Sequence, residues 1–140
     1  MSHDPTCIFC KILRSEIGSV KIHEDQDTLS FMDVMPQSPG HCLVVLKRHA
    51  ANLLEISPDE AAVVIRATQR LANAVKTALQ PDGIGVYQFN GSAAGQTVFH
   101  IHFHVIPRHT GAELGFHARQ MADPATLQPL ASKIAAAIPG

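Results

Sequence analysis

Neither sign of charge dominates this chain. Lysine and arginine total 11 against 12 aspartate and glutamate, for a formal net charge of −1 over 140 residues. The basic residues are scattered and form no patch, which argues against nucleic acid or an anionic membrane as partner. Long apolar runs are missing too. The strongest, such as "CLVVL", fall far short of the roughly 20 residues a membrane helix needs. The opening "MSHDPTCIFC" lacks the charged-then-apolar pattern of a signal peptide, so a cytoplasmic location is expected. Cysteine is scarce and odd in number, three in all, a poor fit to a secreted disulfide framework. There is no internal repeat, low-complexity tract or break in composition. A single domain over residues 1–140 is expected, large enough to bury one core, and 46% hydrophobic residues fit a globular chain.

Against this plain background one stretch stands out. "VFHIHFHVIPR", residues 98–108, places His100, His102 and His104 at alternate positions. Alternation is the period of a β-strand. It puts the three histidines and Ile106 on one face, with Phe99, Ile101, Phe103 and Val105 on the other. The apolar face can pack on a core. Three imidazoles in register, roughly 7 Å apart, would repel if protonated. A metal, a bound anion or a hydrogen-bond network must compensate.

The remaining elements can be read in order. "CIFCKILRSEI" predicts a short helix, and "VKIHED" and "TLSFMDV" predict two strands about a polar turn. After the loop "PQSPGH", the continuous apolar run "CLVVLK" predicts a central third strand. Ser57-Pro58-Asp59-Glu60 has the form of a capping box with proline at the first helical position. The helix it starts should carry Ala61, Ile65, Thr68, Ala72 and Val75 on its apolar stripe and end near Leu79. "IGVYQFN" predicts a fourth strand, "GSAAGQ" a flexible loop, and the histidine segment a fifth strand. "DPATLQPLASKIAAAI" is helical in pattern, with Pro129 dividing it or starting the final helix. Together these predict an α+β fold, a five-stranded antiparallel meander with two main helices.

Two chemistries suit the histidines. Cys7-x-x-Cys10 has the spacing of half a zinc site without the usual second pair. His49, just after the third strand, and His100, at the start of the fifth, are the best-placed donors to complete it. A zinc held by all three strand histidines is the competing arrangement, but three consecutive same-face positions converge poorly on one ion. Imidazole is also a nucleophile toward phosphorus and is largely neutral near pH 7. No P-loop occurs to hold phosphate. "GSAAGQT" could offer backbone N–H groups to an anion, or serve merely as a hairpin connection. Cys42, within an apolar strand, reads as a small buried hydrophobe.

"HIHFHVI" resembles the histidine-triad motif, His-φ-His-φ-His-φ-φ with φ apolar. The likeness extends to "CIFCKILRSEI", "FMDVMPQSPGHCLVVLKRH" and "FNGSAAGQTVFHIHFHVIPR", in the same order and spacing as in histidine-triad (HIT) nucleotide-binding proteins. It covers roughly residues 5–110, leaving 111–140 as a variable C-terminal segment. The resemblance implies a HIT-like fold, usually a homodimer, that binds purine nucleotides such as AMP or GMP. The implied activity is hydrolysis at the α-phosphate of nucleoside phosphoramidates, acyl-nucleotides or dinucleoside polyphosphates.

The resemblance also assigns roles. His102 matches the nucleophile that forms a nucleotidyl-histidine intermediate. His104 matches a contact to the α-phosphate oxygens, its backbone carbonyl expected to hold the second nitrogen of His102. His41 matches a supporting fourth histidine. Asp33 matches the carboxylate that accepts the ribose hydroxyls, with Val34 beside it, and Ile8, Phe9 and Phe31 match positions around the base. Asn90, Gly95, Gln96 and Thr97 match the loop that reaches phosphate and leaving group. Many bacterial-type members carry equivalents of Cys7, Cys10, His49 and His100 and bind a structural zinc, which implies one zinc per chain here. The segment after His109 lacks the tryptophan-containing tail of the phosphoramidases, which leaves substrate preference open. His3, His23, His109 and His117 are expected at the surface without a role. A rival reading, a nucleotide-binding regulatory or adaptor protein with negligible turnover, uses the same residues. A zinc-dependent hydrolase is a third.

Overall fold

The structure, a computed structural model, describes residues 4–112 and 120–139. Positions 3 and 117, two of the histidines expected at the surface, lie outside that range. Of the other two, His109 is exposed and His23 half-buried.

Five strands form one antiparallel sheet: β1 (Lys21–Glu24), β2 (Thr28–Met32), β3 (Cys42–Leu46), β4 (Gly83–Tyr87) and β5 (His102–Arg108). Their spatial order is β1-β2-β3-β5-β4. The expected meander holds for β1 to β3. The second hairpin then enters with β5 inward, so β4 takes the edge. Among the described residues three α-helices join the sheet: α1 (Ile8–Leu13), α2 (Pro58–Leu79) and α3 (Pro124–Ala137).

Burial on both faces explains why β3 is a continuous apolar run. All five of its residues are buried, and it pairs with β2 on one side and β5 on the other. Cys42, Val44 and Leu46 point to the larger core, with Phe103 and Val105 of β5 and with Val64, Leu71 and Val75 of α2. Leu43 and Val45 point the other way, with Leu29 and Phe31 of β2 and with Phe9 and Ile12 of α1. In the β3–β5 register Leu43 lies opposite His104 and Val45 opposite His102. Those two histidines therefore share the face that, among the helices of the described residues, the short α1 covers. The large helices leave no room for a ligand; the small one does.

The capping box of α2 is present in both directions, Ser57 with the Glu60 backbone and Glu60 with the Ser57 backbone. A cap of this kind contributes about 1 kcal/mol. The buried stripe differs from expectation. Val64, Thr68, Leu71, Ala74 and Val75 face inward, while Ile65 is 46% exposed. The Val64–Leu71 register fits the helical period equally well, and Thr68 enters it because its hydroxyl donates to the Val64 carbonyl at 2.7 Å. Pro129 also differs from expectation: it neither divides nor starts α3. The helix begins at Pro124, capped by Asp123, and runs through Pro129 unbroken. Packing of Leu127, Ala131 and Ile134 into the larger core outweighs the backbone bond that proline cannot donate.

Candidate active site and metal centre

β5 begins at His102, two residues later than the alternation suggests. His100 lies just before the strand, and Phe99, expected on the core face, is exposed. This late start separates the three histidines into two environments.

His100 is wholly buried. Its Nε2 lies 2.6 Å from the Leu46 carbonyl, a group that can only accept, so Nε2 carries the proton. The Nδ1 lone pair then faces the two cysteines. His100 Nδ1 is 3.5 Å from Cys7 Sγ and 3.5 Å from Cys10 Sγ. His49 Nδ1 is 3.4 Å from Cys10 Sγ and 3.2 Å from His100 Nδ1. Zinc bonds of about 2.3 Å to sulfur and 2.0–2.1 Å to nitrogen would separate tetrahedral donors by about 3.3–3.8 Å. The four donors fit that ion. Each sulfur also accepts a backbone N–H, Cys7 from Cys10 and Cys10 from Asp4. Burial pushes the Cys10 thiol up, with the neighbouring Cys7 adding to the shift. Burial pushes His100 down to about 4.

His102 points into a cleft of about 350 Å³. Its Nδ1 is 2.6 Å from the carbonyl of His100. The sequence reading assigned that acceptor to His104, and the structure corrects it. His100 precedes the ladder, so its carbonyl is not needed by a neighbouring strand and turns back beneath the ring. Because a carbonyl only accepts, Nδ1 holds the proton and Nε2 keeps its lone pair. Burial lowers the His102 pKa, so the ring is neutral near pH 7. Phe9 meets it edge-on, 5.0 Å between centroids at 85°, and Phe9 is itself packed against Phe31 at 5.5 Å. Both phenylalanines are core residues that border the cleft.

His41 is 2% exposed. Its Nδ1 accepts the Gln37 backbone N–H at 2.9 Å, which leaves the proton of the neutral ring on Nε2. That Nε2 is 3.0 Å from His104 Nδ1 and 3.3 Å from Asp33 Oδ2. Burial, with the cationic forms of His104, Arg108 and His102 nearby, pushes His41 down to about 3. The contact with Asp33 is therefore a neutral donor on a carboxylate, not an ion pair. Desolvation raises the Asp33 pKa, partly offset by the Met35 N–H that its Oδ1 accepts at 2.8 Å. Asp33, His41 and His104 could meet on a metal by distance alone. The His41 proton occupies the place an ion would need.

Ile8 and Val34, 48% and 40% exposed, stand at the cleft with Asp33, Phe9, Phe31, His41, His102, His104 and Thr97 also lining it. Ile17, Ser19 and Gln37 line it as well, and sequence reasoning missed them. Their signal is weak: a short polar connection after α1 and a loop residue four positions before His41. Asn90, Gly95 and Gln96 were expected to reach phosphate but do not line the cleft. Asn90 Oδ1 accepts from the Leu53 N–H and from Gln88 Nε2. The Gly95 N–H is donated to the Ser92 carbonyl, and Gln96 is 4% exposed with its amide bonded to the Gly91 N–H and the Ala51 and Val98 carbonyls.

A HIT domain model matches residues 14–111, most of the chain. The chain belongs to the HIT family. A Hit-like protein of Bartonella henselae, described as involved in cell-cycle regulation, superposes with TM-score 0.89 at 47% identity, covering 97% of this chain and 99% of that one. A zinc-bound histidine triad protein of Mycobacterium smegmatis gives 0.84 at 35% identity, over 95% and 93%. An adenosine 5′-monophosphoramidase of Schizosaccharomyces pombe is 40% identical over 103 residues, 74% of each chain. In this HIT chain no helix of the described residues is long and apolar enough to cross a membrane.

Proposed function

We propose that this HIT protein is a nucleotide hydrolase acting at the α-phosphate through a nucleotidyl-histidine intermediate, with His102 as nucleophile. The observation that carries the reading is the tautomer of His102: Nδ1 is tied to the His100 carbonyl, and Nε2 keeps a lone pair within the cleft. A neutral, oriented imidazole of this kind is ready to attack phosphorus without first losing a proton. In step one the Nε2 lone pair forms a bond to the α-phosphorus. The bond to an amine, acyl or polyphosphate leaving group breaks with its electron pair, a departing amine leaving protonated at nitrogen. In step two water attacks the same phosphorus, the P–N bond breaks, and the nucleoside monophosphate leaves. His104, bonded to His41, faces the phosphate oxygens and stabilises the charge that builds there. Asp33 takes the ribose hydroxyls, Ile8 and Val34 flank the purine, and Thr97 stands by the leaving group.

Cys7, Cys10, His49 and His100 are the residues that would hold one zinc. Bound there, the ion supplies a structural cross-link between the N-terminal helix, the end of β3 and the approach to β5. The hydrogen-bonding edge of β4 away from β5 supports a homodimer, because a second copy can cover it.

Kinetics of His102→Ala test the reading. Turnover of adenosine 5′-phosphoramidate should fall by at least about 10³-fold while AMP affinity stays within about twofold. Retained turnover in that variant would remove His102 from the mechanism. Tight AMP binding with negligible turnover by the unaltered protein would favour the adaptor reading.

A further inference from the structure

The Gln96 side chain makes four hydrogen bonds, all of them to the 91–98 loop and the segment after His49. Its Nε2 donates to the Ala51 carbonyl at 2.6 Å and to the Val98 carbonyl at 3.0 Å. Its Oε1 accepts from the Gly91 N–H at 2.8 Å and from Asn52 Nδ2 at 3.4 Å. Its own backbone N–H goes to the Gly91 carbonyl at 3.1 Å. One amide thus ties the start of the 91–98 loop to its end, and both to the segment that follows His49. The next residue, Thr97, is exposed and lines the cleft. Asn90 strengthens the same junction by accepting the Leu53 N–H.

A primary amide suits this place chemically. The two carbonyls need donors, and the two N–H groups need an acceptor. Glutamine supplies both from one planar group. A carboxylate would face two carbonyl oxygens with no proton to offer, and an apolar side chain would leave four partly buried polar groups without this partner.

We propose that Gln96 is a positioning residue: it clamps the 91–98 loop to the segment after His49 and so fixes Thr97 against the leaving group, rather than touching the nucleotide itself. The inference rests on the hydrolase reading above. It reassigns a side chain otherwise expected on phosphate. It also makes the loop and the metal-bearing segment one mechanical unit, since the residues Gln96 grips begin two positions after His49.

A double-mutant cycle between Gln96 and Thr97 tests it, run with adenosine 5′-phosphoramidate and with AMP as the binding probe. Gln96→Glu and, as a second variant of similar shape, Gln96→Met should each lower kcat about tenfold or more through misplacement of Thr97. AMP affinity should stay within about twofold. Combined with Thr97→Ala, the Gln96 change should add little further loss, because its effect passes through Thr97. Loss of AMP affinity in step with kcat would make Gln96 a direct nucleotide contact and overturn the proposal. So would fully additive losses, or unchanged kcat in both variants. Hydrogen exchange on the unaltered protein supplies a check that needs neither folding of a variant nor turnover. The Gly91 amide should be strongly protected without nucleotide, and rapid exchange there would refute the clamp. A protein that neither binds AMP nor turns over substrate, yet shows a protected Gly91 amide, would sink the hydrolase reading and leave the clamp standing.

Discussion

His100 and His41 are both almost wholly buried, both held neutral by burial, and both next to other histidines, yet they suit opposite tasks. The difference lies in the second ring nitrogen. His100 gives its Nε2 proton to the Leu46 carbonyl and turns a lone pair toward two cysteines. His41 receives a backbone N–H at Nδ1 and turns a proton toward His104 and Asp33. One arrangement has the lone pair a metal would need; the other presents a proton to its neighbours. A single backbone group opposite each ring decides which, and this is why distance among donors does not by itself define a metal site.

Metal content separates the two clusters most strongly. Protein purified without added metal should hold about one zinc per chain, and His49→Ala should lower that to near zero. His41→Ala should leave it unchanged. Elemental analysis decides, and loss of zinc in the His41 variant would erase the difference between the two clusters. Stability should follow the metal: zinc at a thousandfold excess over its Kd should add about 4 kcal/mol to unfolding. His49→Ala should lose that gain.

A smaller effect concerns pH. His41 sits at about 3 in the folded protein, whereas an unfolded chain holds histidine near 6.5. Between those values the unfolded state binds the extra proton, so the stability contributed by neutral His41 is complete above about pH 6.5 and is lost as pH falls toward about 3. Urea unfolding with chelator present should show this fall to be shallower in His41→Gln, by about 1.4 kcal/mol per pH unit. Equal slopes in the two proteins would contradict the buried neutral assignment. The smallest expected change comes from Phe9→Leu, which removes the ring edge against His102. It should cost about 1 kcal/mol of stability and lower turnover a few-fold, with zinc content unaltered.

Much of this was legible in the residues. The period of "HIHFHV" placed His102 and His104 on one face, and Ser57 with Glu60 marked the start of α2. The two cysteines with His49 and His100 were recognisable as a donor set. What escaped depends on where backbone carbonyls turn. The acceptor for His102 is His100 and not His104, because the strand starts two residues late, and alternation of residue types carries no sign of that. The resemblance carries Gln96 to the phosphate loop, and its residue type gives no sign that its amide is bonded to the Ala51 and Val98 carbonyls. Ile65 lost its place in the core to Val64 because both registers are apolar, and only the packing of α2 on the sheet selects one. Pro129 was misplaced because local propensity disfavours it, while the core around Leu127 and Ile134 holds the helix straight through.

The most direct trial of the whole account is mass spectrometry of the protein quenched during turnover of adenosine 5′-phosphoramidate, followed by peptide mapping. The account predicts a transient gain of one adenylyl group, carried on the His102 ring and gone when substrate is exhausted. An unmodified chain throughout steady turnover, or an adenylyl group on a different residue, would contradict it.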